Sequence, residues 1–258
     1  MPRLVLAILL SFCATQIVAQ DSDLRQLSTA DAGRGWESVG RLDVDRGGFC
    51  TASLIEERLI LTAAHCVFDD DGTRIAPERF SFGAGLRNGR AEATRTVTRV
   101  TAHPDYVHRA DQPLSLSVAV DIAVLELDRP IRQGRIAPFT LASQPAKGAR
   151  VGVVSYATGR ANAPSLQEVC EVLTLQDGVV VLSCTADFGA SGAPVFWMNG
   201  NHPRIVSVIS AKGSALGQPV SLGTSLAAPL SRVLQAHAEG AVPQGLSRAG
   251  TGAKFVRP

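Results

Sequence analysis

Aromatic residues make up only 5% of the chain, with two Trp and two Tyr. No block of Lys and Arg is interleaved with them, so a stacking platform in a basic field is missing and a nucleic-acid partner is not expected. An excess of one charge is lacking too, since 25 Lys and Arg against 23 Asp and Glu leave a net charge of +2. No apolar run is long enough to act as a permanent bilayer anchor. Cysteines number five, and none has the tight two-residue spacing of a zinc knuckle. Helical periodicity is nearly absent, which sets aside bundles and coiled coils.

What is present is ample apolar material. Hydrophobic residues form 45% of 258 positions, enough for one or two packed domains. Met1-Pro2-Arg3 precedes the apolar run Leu4 to Leu10, and Ile17-Val18-Ala19 precedes Gln20. This pattern predicts a signal peptide over 1–19 and export of the remainder. Phe12, bulky and next to Cys13, argues against lipoprotein processing. Without Cys13 an even set remains, Cys50, Cys66, Cys170 and Cys184. In an oxidising compartment such a set predicts two disulfides, with four buried thiols or a metal site as the other readings. Gln176-Asp177-Gly178 is a turn signal, and a three-residue loop centred on Asp177 would set Cys170 opposite Cys184. Cys50 and Cys66 likewise flank a strand–turn–strand segment with Glu56-Glu57-Arg58 at its tip.

Residues 20–35 are polar and read as a loose N-terminal arm. From Trp36 onward short β-rich segments alternate with turn clusters: Ser38–Leu42, Thr51–Ile55, Arg58–Thr62, Arg95–Val100 and Ile122–Leu127. After a Pro- and Gly-containing linker from Pro130 to Gly148, strands resume at Arg150–Tyr156, continue through the cysteine hairpin and include Ile205–Ser210. The expected fold class is all-β, a sandwich or barrel, in two halves spanning 36–135 and 136–240. One helix is expected at Leu230–His237, between Pro229 and Gly240. Residues 241–258 read as a loose tail.

Four histidines have structural readings: His103 and His202 adjoin prolines, His108 is in a polar loop and His237 is on the helix. His65 differs, because an apolar strand runs into it through Ala63-Ala64 and Cys66 follows, so a disulfide would pin its backbone as a general base requires. Asp121 leads into the apolar strand Ile122-Ala123-Val124-Leu125, where a carboxylate must be paired to offset desolvation. Phe188-Gly189-Ala190-Ser191-Gly192-Ala193-Pro194 places a serine among small residues, the composition of a loop whose main-chain N–H groups a substrate carbonyl can approach. Asp69-Asp70-Asp71-Gly72 lacks the downstream Glu of a calcium loop. No metal and no cofactor is expected.

Taken together, Leu61-Thr62-Ala63-Ala64-His65-Cys66, Asp121-Ile122-Ala123-Val124-Leu125 and Gly189-Ala190-Ser191-Gly192-Ala193-Pro194 resemble the trypsin-like (chymotrypsin-fold) serine proteases, in particular the bacterial secreted glutamyl-endopeptidase-like branch. The order His, Asp, Ser is unlike that of α/β-hydrolases. The resemblance implies two six-stranded antiparallel β-barrels with the active site between them and a C-terminal helix. It implies Ser191 as nucleophile, His65 as general base and acid, Asp121 as the orienting carboxylate, and the backbone N–H groups of Gly189 and Ser191 as oxyanion hole. Counting back from the serine puts Thr185 at the base of the specificity pocket, and Ser210, Lys212 and Gly213 match the strand that lines it. The implied partner is a protein or peptide substrate, cut by a monomer in a secreted or periplasmic setting with no membrane anchor once the leader is removed.

Several positions depart from the family pattern, among them Ala193, where Gly is common, and Cys184, which lies further before the serine than the usual cysteine of that loop. Ala190 stands where Asp or Asn usually precedes the nucleophile, and no Arg-Ile-Val-Gly-Gly start is present to pair with such an Asp. Ile209 occupies the place of the His of glutamate-specific relatives. Asp187 reaches the pocket only if its loop is shaped differently from theirs. A relative that keeps the fold and binds peptides without turnover is the competing reading.

Overall fold

The computed structural model describes residues 24–45, 47–108, 114–198, 202–215 and 217–240. The signal peptide, most of the arm and the tail after Gly240 lie outside the described residues. The strands are β1 (Leu24–Gln26), β2 (Val39–Val44), β3 (Phe49–Glu56), β4 (Leu59–Thr62), β5 (Phe80–Ala84), β6 (Ala93–Ala102), β7 (Ala123–Leu127), β8 (Arg150–Ser155), β9 (Ser165–Gln176), β10 (Val179–Leu182), β11 (Pro194–Trp197), β12 (Arg204–Ala215) and β13 (Gln218–Ser225). The helices are α1 (Leu114–Ala119) and α2 (Ala227–Gly240). Strands β2-β3-β4-β7-β6-β5 close into one antiparallel barrel. The second half runs β9-β10-β13-β12-β11-β8 and closes through β9–β8 pairing. Part of the arm expected to be loose is ordered: β1 adds to β9 as an extra strand, Leu24 opposite Gln167.

Period-two alternation sorts side chains between three cores. Along β4, Ile60 points into the first barrel while Leu59 and Leu61 face the layer between the barrels. On β11, Val195 fills the second barrel and Phe196 the layer between them. There Phe196 meets Trp36 and Phe139 edge-on, ring centroids 4.9 and 4.7 Å apart. The catalytic candidates therefore sit on a seam packed like a domain interior.

Several elements were not singled out in the sequence. Strand β5 contains Gly83 and β13 contains Pro219 and Gly223, residues with weak strand preference. Close approach is the reason for one of them: a Cβ on Gly223 would stand 2.3 Å from Ser207 Oγ. Helix α1 has six residues, too few for a periodic signal. Helix α2 begins at Ala227, so Pro229 lies inside its first turn, where a missing N–H costs nothing. His237 does pack inward with Leu230 and Val233.

Both expected disulfides form, Cys50–Cys66 and Cys170–Cys184. The hairpin reaches its pairing by a different route from the one anticipated. Val179 pairs with Gln176, so the loop is two residues, Asp177 and Gly178, both with positive φ. A register shift between Val181 and Leu182 then brings the cysteines opposite each other, Cα atoms 5.1 Å apart. The Asp69–Gly72 segment is a tight turn in which Asp71 Oδ1 accepts from Thr73 N and Asp69 pairs with Arg79.

Candidate active site

His65 is delivered by a buried strand and held by its surroundings. Beyond β4 the chain tightens into a 3₁₀ turn, Ala64–Val67, and the Cys66 disulfide ties that turn to Cys50 on β3. The carboxylate of Asp121, 2% exposed, accepts from His65 N at 2.8 Å and bonds Nδ1 at 2.7 Å. An ionised carboxylate only accepts, so Nδ1 carries the proton and Nε2 keeps its lone pair. Ser210 Oγ, from β12 of the second barrel, donates a short third bond to Asp121 Oδ2. Thr224 Oγ1 donates to the Val118 carbonyl at 2.6 Å, with the Asp121 carbonyl also in reach at 3.1 Å. The buried charge is thus paired and hydrogen-bonded from both barrels, which is what offsets its desolvation. Burial pulls the His65 pKa down, but the Asp121 charge and hydrogen bond outweigh it and the net shift is upward from 6.5.

Ser191 lies on a loop of unusual backbone. Gly189 has φ +96° and Gly192 φ +77°. Neither position tolerates a side chain: a Cβ on Gly189 would be 2.4 Å from the Phe49 ring, and one on Gly192 2.1 Å from Thr62 Oγ1. The Phe188 carbonyl accepts from Thr158 N at 2.7 Å. Carbonyl and N–H point oppositely across a trans peptide, so Gly189 N–H faces the other way, away from Thr158. Among the described residues neither Gly189 N nor Ser191 N donates to an acceptor within the chain. Two uncommitted N–H groups flank Ala190, which is itself buried. No hydrogen bond joins Ser191 Oγ to His65 Nε2, a contact that in ligand-free sites commonly tightens only with substrate.

Beside Ser191 opens a pocket of about 140 Å³, lined by Ala186, Asp187, Phe188, Ile209, Ser210, Ala211 and Lys212. Of the specificity residues expected from the sequence, Ser210 and Lys212 line it. Thr185 and Gly213 do not: Thr185 is exposed and spends its N–H on Gln167 Oε1 at 3.1 Å. The loop's shape carries Asp187 into the wall instead. Lys212 Nζ sits 4.5 Å from the centroid of the exposed Phe188 ring across the pocket mouth. Behind the loop, burial lowers the Arg160 pKa while the Asp187 charge opposes the shift. Arg160 is fixed on Ser155 O at 2.6 Å and Ser155 Oγ at 3.0 Å. Of the lining residues, Ala186 was not singled out from the sequence, while Phe188 was read only as part of the serine loop and Ala211 only within the strand matched to the pocket. Their position close to Ser191 or Ser210 in the chain was the one available signal.

The single cluster of metal-ligating side chains among the described residues is Cys50, His65 and Cys66, and its two sulfurs are consumed in a disulfide.

The trypsin family model matches residues 28–231. The chain is 26% identical over 192 residues to "Venom serine protease 34" of Apis mellifera, covering 63% of this chain and 45% of that protein, so it spans less than half of that relative's length. Among solved structures it superposes on a Glu endopeptidase in complex with MPD at TM-score 0.69 and 18% identity, covering 86% of this chain and 100% of the other. A thermostable serine protease, AL20, from an extremophilic microorganism gives TM-score 0.60 and 18% identity over 78% and 97% of the respective chains. At that identity the structural likeness speaks for the fold. The family match covers most of the chain and includes His65, Asp121 and Ser191, and on that ground the chain belongs to the trypsin family.

Proposed function

We propose that the protein is an exported serine endopeptidase working through an acyl-enzyme with a His65–Asp121–Ser191 triad. The observation that carries this reading is the Asp121 carboxylate, shared between both nitrogen donors of His65 and the hydroxyl of Ser210. Ser191 Oγ attacks the scissile carbonyl while His65 Nε2 takes its proton and later returns it to the leaving amine. Asp121 keeps the imidazole in the required tautomer and stabilises the imidazolium. Developing negative charge on the carbonyl oxygen is met by Gly189 N–H and Ser191 N–H; one such donor typically lowers the barrier by about 3 kcal/mol. The backward-facing Phe188 carbonyl speaks against a collapsed, non-catalytic loop. Two disulfides favour an oxidising compartment. No described helix is long and apolar enough to cross a membrane.

Opposite charges at the pocket, Asp187 and Lys212, support neither a dedicated acidic nor a dedicated basic P1 residue. A fluorophosphonate probe tests the activity directly. Folded, disulfide-intact protein should be labelled and Ser191→Ala should not. Absence of labelling in the wild type would refute the peptidase reading.

A further inference from the structure

Ala190 offers no polar side chain to brace the turn before the nucleophile, yet both peptide planes flanking Gly189 are held. The Phe188 carbonyl accepts from Thr158 N at 2.7 Å, and the Gly189 carbonyl accepts from Thr51 Oγ1 at 2.9 Å. Those two bonds, with Ala190 N donating to Asp187 O at 2.9 Å, restrain φ and ψ of the one residue whose N–H must face a substrate oxyanion. Thr51 acts at more than this point. Its own N–H donates to the Ser191 carbonyl at 2.8 Å, and its carbonyl accepts from Thr62 Oγ1 at 2.9 Å. Its hydroxyl also accepts from Tyr156 N at 3.0 Å. A hydroxyl has a single proton, and with Tyr156 N–H filling the accepting side that proton is aimed at Gly189 O. The alternative acceptor, Tyr156 O, is 3.5 Å away. Thr51 is 0% exposed, so water does not compete for these bonds.

We propose that Thr51 is the positioning residue of the oxyanion loop, its hydroxyl supplying from the first barrel the restraint that the side chain at 190 does not provide. The proposal rests on the peptidase reading above. Thr51 follows Cys50, whose disulfide pins the His65 turn, so one short piece of β3 sets both the base and the oxyanion loop. A hydroxyl is specifically needed. An isosteric Val leaves Gly189 O and Tyr156 N–H without their partner, and the Gly189–Ala190 peptide is then held only through Ala190 N, which donates to Asp187 O at 2.9 Å.

Thr51→Val and Thr51→Ser test this, with kcat and KM measured on a peptide ester, labelling rates with the fluorophosphonate, and the His65 Nδ1 proton resonance. Thr51→Val should lose about 10- to 100-fold in kcat and in labelling rate at nearly unchanged KM, because the donor is displaced only where the oxyanion forms. The Nδ1 resonance should stay in place, since Thr51 does not touch Asp121. Thr51→Ser should restore most of the rate. Should the Val variant fail to fold, Thr51→Ala takes its place with the same expectation. Folded Val or Ala variants with wild-type kcat, a Ser variant as slow as Val, or a rate loss that travels with a shifted His65 resonance would each overturn the proposal. Wild type that labels beside an equally reactive Thr51→Val sinks this inference alone. Wild type that does not label sinks it together with the peptidase reading.

Discussion

The two barrels contribute to one site in different ways. The first holds His65 and Asp121 in a fully restrained frame: a disulfide, a 3₁₀ turn and hydrogen bonds to a 2%-exposed carboxylate. The second contributes a loop with two positive-φ glycines, an open pocket and exposed residues such as Phe188, at 74%. On the proposed reading, proton transfer takes its one geometry from packing. Substrate recognition would fall to side chains that can change without disturbing that packing. The division is not complete, because each barrel reaches across the seam. Ser210 of the second orients Asp121 of the first, and Thr51 of the first holds Gly189 of the second.

The sharpest way to break this comparison is at Asp121. Asp121→Asn should cut the labelling rate by about 10⁴-fold, because the amide favours the wrong imidazole tautomer. Its pH profile carries a second signature. Catalysis needs neutral His65, and the raised pKa puts the acid limb of wild-type kcat/KM above pH 6.5. Removing the carboxylate leaves burial acting alone, so the limb should move to lower pH. An unmoved limb would mean that Asp121 does not govern His65.

Next come the disulfides, which close similar loops of separation 16 and 14 residues. Replacing either pair by Ala should cost comparable stability, about 3 kcal/mol by loop-closure entropy. Only loss of Cys50–Cys66 should also lower kcat of the folded protein, since only that bridge holds the His65 turn. Thermal unfolding beside kcat reads both effects, and equal kcat losses would erase the contrast.

Pocket charges should matter less. Lys212→Ala should reduce cleavage after acidic residues and Asp187→Ala cleavage after basic ones, each by about tenfold or less for partly exposed charges. A peptide library reads the profile, and two unchanged profiles would remove both charges from specificity.

The smallest effect is expected at α2. His237 accepts from Arg99 at 2.6 Å and bonds Thr101 Oγ1 at 2.9 Å, with Glu126 3.8 Å away. Burial first, then Arg99, lowers its pKa, against the pull of Glu126. A depressed folded-state pKa means the neutral form stabilises docking above about pH 6.5, and this is lost as pH falls through the folded value. Protection factors of the α2 amides should fall on acidification in wild type and less so in His237→Gln.

What could be read from residues alone follows from how locally each signal is encoded. Alternating apolar strands, a small-residue turn around Ser191 and an Ala-Ala-His-Cys run carry their geometry within a few residues, so the β architecture, the triad candidates and both cysteine pairs were identifiable. The hairpin loop was misread by one residue, and a bulge absorbed the difference without disturbing the pair. Strands β5 and β13 were harder, because their small residues answer to neighbours across the barrel.

By itself, then, the sequence determined which residues could act and in what order, since those motifs are contiguous. The tertiary structure decided what holds them. Thr51 and Gly189 are 138 residues apart and Ser210 and Asp121 89 apart, and such partners become neighbours only when the barrels dock. It also decided the pocket wall, putting Asp187 in and Thr185 out, because the loop's path depends on bonds from Thr158 and Gln167 that sequence spacing does not encode.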